Sequence, residues 1–437
     1  MKLLIVGDSP TKQTGFSRVV ENIAKRLKVT AKSIDIWGIN HQGVPHDFPY
    51  RIWPATLNGP VWYSEPNLKG LLNVLAGGDF THVLVVQDSF AFPKWFADAF
   101  AQICGHRKIR SLYYIPVDAS LDPNWLELAR VVDWPVAYTH YGRMEILKAA
   151  AMAMEPWEYQ TLEQRLKVLP HGVDRSIYFP LPDREKIRKQ VLPNLPEGDV
   201  VLMNVNANQR RKDPVRSLEI LAELLRMGER VRLVMHMPPV GHDELDLPCA
   251  GAQLGLRYGE DWLVTDMLFK GTMRTGTEEE LNKIYNMGDI LISSTLGEGF
   301  GLTTIEALAT GMPVALPNHT ACTEIVNTLA GMGTVQDPAS AQACLFPTEE
   351  HTVMLPWDNA RMRRRADVKG AALVIQEMIR SGEYKKRQRL SKKAAAWLSW
   401  DRVVPEFRDL LMSAPPAPVP APVKKEEALD GGQPVAK

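Results

Sequence analysis

Residues 289–317 read DILISSTLGEGFGLTTIEALATGMPVALP. The apolar run Ile290–Ile292 predicts a short buried strand. Ser293–Gly301 follows as a loop with three glycines, Gly297, Gly299 and Gly301. Thr303–Thr310 has helical character and is closed by Gly311, a residue type that suits the position after a helix end. Pro313–Leu316 opens another buried strand. The unit is therefore strand, glycine loop, helix, strand.

Such a loop presents backbone N–H groups at a helix N-terminus, and with the helix dipole behind them they form an anion site. Small residues let a ligand approach the backbone closely. Two carboxylates flank the site, Glu298 in the loop and Glu306 expected on the first helical turn, with seven residues between them. Hydroxyl groups donate well to carboxylates. A phosphate cradle between two hydroxyl-binding carboxylates points to a sugar nucleotide. A plainer reading competes for Glu306: Thr303-Thr-Ile-Glu306 has the spacing of a capping box.

The run EGFGLTTIEALATGMPV resembles the donor-site signature of the retaining glycosyltransferases of family 4, which have the GT-B fold. The resemblance implies that Glu298 contacts the transferred sugar and Glu306 holds the ribose hydroxyls. The amides of Gly299, Phe300, Gly301 and Leu302, with Thr303 beside them, would face sugar and diphosphate. Asn206–Pro214 (NANQRRKDP) matches the family position where an Arg and a Lys hold the donor diphosphate. Lys212 fits the Lys, Asn206 stands where the Arg is usual, and Arg211 offers a second charge. Cations are disfavoured at a helix start unless an anion is present, and facing a diphosphate they give charge-assisted hydrogen bonds.

The chain has 437 residues, which predicts two domains. Lys+Arg and Asp+Glu are 51 each, so no net charge draws the molecule to a polyanion. Cys104, Cys249, Cys322 and Cys344 are far apart, as for free thiols in a reducing compartment. MKLLIVGD is too short for a signal peptide and no run is long enough to span a membrane, so a cytoplasmic location is expected.

Leu3–Val6 reads as the opening strand, Gly7–Ser17 as a loop and Arg18–Leu27 as a helix, the start of a doubly wound unit whose ligands sit at the carboxyl ends of strands. Gly15 is the close-approach point, and the resemblance puts it near the donor diphosphate and the acceptor. The G-x-G-x-x-G dinucleotide fingerprint is absent. Ile34–Trp37, Thr81–Gln87, Leu112–Pro116 and Val136–Thr139 read as further strands, and His41–Pro54 as an irregular, aromatic-rich segment on the acceptor side. The strands before Asp88 and Asp118 put carboxylates at the crevice edge. The family has a catalytically relevant polar residue, often His, where this chain has Asp118. For Asp88 a turn or cap is the simpler reading. Lys167–Asp174 (KVLPHGVD) is similar to the family segment that closes the N-terminal domain, with His171 read as an exposed structural histidine in a glycine turn.

Residues 181–199 are expected to be a linker. Thr277 and Glu280 form a second capping box before a helix over Glu278–Asn286, and Lys270–Thr272 is a candidate nucleobase contact. The basic runs 361–365 (RMRRR) and 385–393 read as solvated faces, with attraction to a polyanionic acceptor as the alternative. WLSWDRVVPEF resembles the family's C-terminal helix, which packs back on the first domain. Residues 413–437 read as a disordered tail.

The expected fold is α/β of GT-B type: two facing doubly wound Rossmann-like domains, over 1–180 and 200–384, with the active site in the cleft and C-terminal helices over 385–412. The expected function is metal-independent, retaining transfer of a sugar from a nucleotide-diphosphate sugar, UDP- or GDP-linked, to a hydroxyl acceptor. The acceptor is a glycan, a lipid-linked group or a modified nucleic-acid base, and oligomeric state is left open. Glu298 and Asp118 are the catalytic candidates. The donor site takes Gly15, Arg211, Lys212, Gly299, Phe300, Gly301, Leu302, Thr303 and Glu306. No metal ligands or further cofactor are expected. A phosphorylase, an epimerase or a non-catalytic sugar-nucleotide-binding protein of the same fold are the other readings.

Overall fold

A computed structural model of the protein describes residues 1–12, 14–241, 245–265, 277–331, 343–355, 361–386 and 397–421. The first half of the chain builds a seven-stranded parallel sheet in the order β3-β2-β1-β4-β5-β6-β7. Its strands are β1 (Lys2–Asp8), β2 (Ser33–Ile39), β3 (Arg51–Pro54), β4 (His82–Val86), β5 (Arg110–Ile115), β6 (Trp134–Ala137) and β7 (Lys167–Val168). The second half builds a six-stranded parallel sheet in the order β10-β9-β8-β11-β12-β13. Here the strands are β8 (Val200–Val205), β9 (Val231–His236), β10 (Trp262–Val264), β11 (Ile290–Ile292), β12 (Val314–Pro317) and β13 (Ala343–Phe346). An antiparallel hairpin, β14 (Thr348–Met354) and β15 (Met362–Ala366), completes the strands described.

The central strands are apolar on both faces because helices cover both. Leu3, Leu4, Ile5 and Val6 of β1 are fully buried, as are Leu202, Met203, Ile290 and Ile292 of the second sheet. Continuous apolar runs of this kind are what a parallel sheet demands. Each such side chain contributes roughly 1.5–3 kcal/mol of burial.

The strand-end loops place the site. The helix Gly15–Leu27 begins at Thr14, whose hydroxyl accepts from Ser17 N in a reciprocal capping box. Val19, Val20, Ile23, Ala24 and Leu27 bury one helical face against the sheet, which leaves Arg18 to point across the cleft. The helix Glu278–Met287 starts at the expected Thr277–Glu280 box.

Four local readings change. The segment 41–54, read as irregular, ends in an ordered edge strand, because Ile36 pairs with Ile52 and Trp37 with Trp53. His171 is buried, not exposed. Gly172 sits so close to the returning chain that an added Cβ would lie 2.2 Å from Trp400 N. That passage presses His171 among Tyr114, Tyr138, Phe300 and Trp400. The third change is in RMRRR, which is not a solvated face: Arg363 is buried and Arg361 and Arg365 are ion-paired. The fourth concerns Thr303–Glu306, described with the site. The candidate base contact Lys270–Thr272 and residues 387–393 lie outside the described residues.

Within 181–199, the helix Arg184–Val191 is fastened to the second sheet: Arg184 and Arg188 both grip the buried Asp289. The helix Trp400–Met412 lies on the first sheet, with the Phe407 ring 4.7 Å from that of Tyr114 and Arg26 Nε 2.6 Å from Asp401. Residues 413–421 have no regular secondary structure, and Val419 N donates to the Thr161 hydroxyl at 2.9 Å.

Candidate active site

The glycine loop and its helix form one wall of the cleft. Gly301 has φ 96°, the left-handed conformation glycine tolerates, and acts as the cap of the helix Leu302–Ala309. Thr303 therefore lies inside the helix and caps nothing. Glu306 is freed from the capping-box role and sits two residues further into the helix than a cap at Thr303 would put it, buried at the cleft. The amides of Gly299, Phe300, Gly301 and Leu302 donate to no protein acceptor among the described residues. They stand at the helix N-terminus with the dipole behind them.

A buried relay holds the loop. Glu298 N donates to the Thr320 hydroxyl at 3.1 Å, Thr320 lies 3.2 Å from His319 Nδ1, and His319 Nε2 lies 3.0 Å from the Thr295 carbonyl. A neutral imidazole with its proton on Nε2 satisfies all three contacts. Burial pushes the His319 pKa down to about 4, despite its bond to Thr295.

The cations arrive from the turn after β8. Arg210–Lys212 form one helical turn ahead of the helix Pro214–Arg226. Leu296 N donates to Arg211 O at 2.8 Å, and Arg211 Nη1 donates to Gly297 O at 2.7 Å, which locks the turn to the glycine loop. Lys212 Nζ pairs with Glu298 Oε1. Burial lowers the Lys212 pKa, and the Glu298 charge opposes the shift. Asn206 turns back to Asn204, its amide donating to Asn204 Oδ1 at 2.8 Å.

The opposite wall comes from the first sheet. Asp118, after β5, accepts from Arg363 Nη2 at 3.0 Å and lies 3.2 Å from Arg211 Nη1. Burial would raise its pKa, but Arg211 and Arg363 hold the carboxyl below its ordinary range. The walls nearly touch here: a Cβ on Gly297 would lie 2.2 Å from Asp118 O. Gly15 faces Leu302, with 3.7 Å from its Cβ position to Leu302 Cδ1.

At the other end of the loop, Arg18 Nη1 donates to Glu306 Oε1, and the Tyr285 hydroxyl donates to Glu306 Oε2 at 2.7 Å. Arg18 also reaches the Tyr178 hydroxyl at 3.2 Å, which donates to Glu278 at 3.1 Å. Burial raises the Glu306 carboxyl to about 7, with Arg18 and Tyr285 acting against the rise. The cavity between Arg18 and Glu306 is only about 10 Å³. The two walls therefore close on each other through ion pairs at the places read as donor contacts.

The structure thus brings together Glu298, Asp118, Arg211, Lys212, Gly299, Phe300, Gly301 and Leu302, with Gly15, Thr303 and Glu306 at the far end. Sequence reasoning missed Arg18, Tyr285, Arg363 and His319. Arg18 and Tyr285 carry no local signal, because their role depends on a residue hundreds or tens of positions away. Nor did Arg363: it turns inward from β15 where Arg364 does not, and the basic residues around it show no apolar alternation. Among the described residues, no group of three or more His, Cys, Asp or Glu side chains is placed to hold a metal, and no helix is long and apolar enough to cross a membrane.

Residues 233–345 match the family model of glycosyl transferases group 1. A D-inositol 3-phosphate glycosyltransferase of Thermobifida fusca is 28% identical over 163 residues, covering 36% of this chain and 35% of the relative. A mannosylfructose-phosphate synthase of Agrobacterium fabrum is 28% identical over 166 residues, covering 37% of this chain and 34% of the relative. The chain thus spans about a third of the length of the curated relatives it matches. Sucrose-phosphate synthase of Thermosynechococcus elongatus superposes with a TM-score of 0.67 at 13% identity, over 94% of this chain and 98% of that one. Anabaena HepE, solved in complex with UDP and glucose, superposes with a TM-score of 0.66 at 15% identity, over 94% of this chain and all of that one. The architecture is GT-B, as the signature implied.

Proposed function

We propose that the protein is a glycosyltransferase that moves a sugar from a nucleoside diphosphate sugar to an acceptor hydroxyl, with retention at the anomeric carbon and without a metal. The observation that carries this reading is the convergence, on one cleft, of unengaged loop amides, the cations Arg211 and Lys212, and the carboxylates Glu298 and Glu306. The family match over 233–345 and the UDP and glucose in HepE support the donor class.

In the transfer, the bond from the anomeric carbon to the diphosphate oxygen breaks, and a bond to the acceptor oxygen forms on the same face. Charge builds on the departing diphosphate, where Lys212, Arg211 and the amides of Gly299–Leu302 stabilise it. Those fixed cations supply what a metal would otherwise supply. Glu298 orients the sugar through its hydroxyls. Asp118, clamped by two arginines and held ionised, is a poor proton acceptor and positions Arg211 instead. The acceptor proton passes to the departing phosphate oxygen, a basic group that the reaction itself creates. Glu306 takes the ribose hydroxyls once Arg18 releases it, so donor entry requires the walls to part.

A modified nucleic-acid acceptor is the second reading of the basic runs. Arg361, Arg363 and Arg365 bind Asp122, Asp118 and Asp213 instead, which removes that part of its support. The test is a thermal-shift and hydrolysis screen against UDP-, GDP- and ADP-sugars with EDTA present. One donor is expected to raise the melting temperature and slowly release its nucleoside diphosphate. Silence with every donor would sink the proposal.

A further inference from the structure

Tyr138 follows β6 and is 4% exposed. Its ring is held between Tyr114 and His171, both with centroids 4.2 Å away. It also lies against the glycine loop: a Cβ on Gly299 would sit 3.7 Å from Tyr138 Cδ2. The other buried phenols here have partners. Tyr113 donates to Gln87 O at 3.1 Å, Tyr114 donates to Leu169 O at 2.9 Å, and Tyr285 donates to Glu306. The Tyr138 hydroxyl is buried and has no hydrogen-bond partner among the described residues.

A buried hydroxyl left unbonded is destabilising, and phenylalanine would pack here equally well without it. The place of the residue in the fold points to what its hydroxyl awaits. Tyr138 stands at the carboxyl edge of the first sheet, where ligands of such folds bind, and it touches the residue next to Glu298. Asp88 and Asp8, at the ends of β4 and β1, act on it from the same edge. Burial and those two charges keep the phenol neutral, so it is available as a donor. Asp8 is itself held by Thr14, the residue before Gly15, and by Gln87.

We propose that the Tyr138 hydroxyl binds a hydroxyl group of the transferred sugar, where that sugar spans from the Glu298–Gly299 turn to the first-sheet wall. The assignment rests on the reading of the cleft as a nucleoside diphosphate sugar site. It makes Tyr138 a specificity-determining contact for the glycosyl end of the donor, and it is silent toward the nucleotide end, which Glu306 and Arg18 occupy.

The test compares the full-length wild type and Tyr138→Phe, each titrated with UDP, UDP-glucose, GDP and GDP-mannose. The variant is expected to melt at or above the wild-type temperature and to bind UDP or GDP within twofold of wild type. The affinity for the matching sugar nucleotide should fall about 3- to 10-fold, the effect of one hydrogen bond. An unchanged sugar-nucleotide affinity overturns the assignment, as does a lower melting temperature with no such loss, which marks a structural hydroxyl. If the wild type binds none of these four ligands and neither ADP nor ADP-glucose, the donor-site reading falls and takes this one with it. That failure appears in the wild type, so the two are distinguishable.

Discussion

The two walls of the cleft are built in opposite ways. On the second-domain wall, the loop amides, Glu298 and Glu306 lie within a single strand–loop–helix passage, and Arg211 and Lys212 join them from the turn after β8. On the first-domain wall, Asp8, Arg18, Asp118 and Tyr138 come from four different strand ends and helices. The difference teaches where function is written. A contiguous wall can be read as a motif, because local backbone geometry fixes its members relative to one another. A scattered wall exists only after the sheet has aligned its strands. On the proposed reading, stabilisation of the departing diphosphate falls to the contiguous wall, and the scattered one positions its groups and adds the Tyr138 contact.

The hardest blow to that division is Glu298→Gln, which removes the charge proposed to orient the sugar and now paired with Lys212. Turnover should fall about 10²- to 10³-fold, in the range for losing one fixed electrostatic contact, with a smaller change in stability. Near-normal turnover, measured as release of nucleoside diphosphate, would show that the contiguous wall does not carry the chemistry.

A second test asks whether the buried relay under that wall stays neutral. The His319 pKa is about 4 in the fold, against 6.5 for the unperturbed group. As pH falls below 6.5 the unfolded chain binds the proton first, so this contribution is fully present above pH 6.5 and is lost as pH drops toward 4. Between pH 6.5 and pH 5 the loss is roughly 2 kcal/mol. Urea midpoints of wild type and His319→Gln across this window check it. Equal pH slopes would mean that the imidazole is not held neutral.

Glu306→Ala sharpens the comparison at the point where the walls meet. It removes the proposed ribose contact and leaves Arg18 without its carboxylate. Nucleotide affinity should weaken by about 1.5–3 kcal/mol, the worth of charged hydrogen bonds. Titration with UDP and GDP reads it directly, and an unchanged Kd would return Glu306 to a purely structural role.

The mildest change is expected on the positioning wall. Asp118→Asn keeps the contacts to Arg363 and loses the charge. Turnover should drop about tenfold, equivalent to about 1.4 kcal/mol, with the acid limb of the pH–rate profile unmoved. Disappearance of that limb would make Asp118 a catalytic base after all.

Most of the contiguous wall was legible because its signals are local. Ile290–Ile292 is a buried strand in both readings, the glycines mark the loop, and Lys212 lies on the expected turn. The capping-box spacing of Thr303 and Glu306 misled on one point. Gly301 can adopt a positive φ and takes the cap two residues before Thr303, so the threonine hydroxyl is no longer at the cap. RMRRR misled for another reason. A run of arginines resembles a solvated face unless it is known that β15 alternates and that Asp118 and Asp122 lie opposite it.

The α/β alternation, the parallel sheets and the glycine loop at a helix N-terminus were already legible in the residues. These follow from apolar runs, caps and glycines acting over a few residues. Only tertiary structure fixes that Arg18 meets Glu306, that Asp118 lies between Arg211 and Arg363, and that the Tyr138 hydroxyl is buried with no partner among the described residues. Each of these depends on side chains converging from distant strand ends, and strand order and the seating of one sheet against the other fix that convergence.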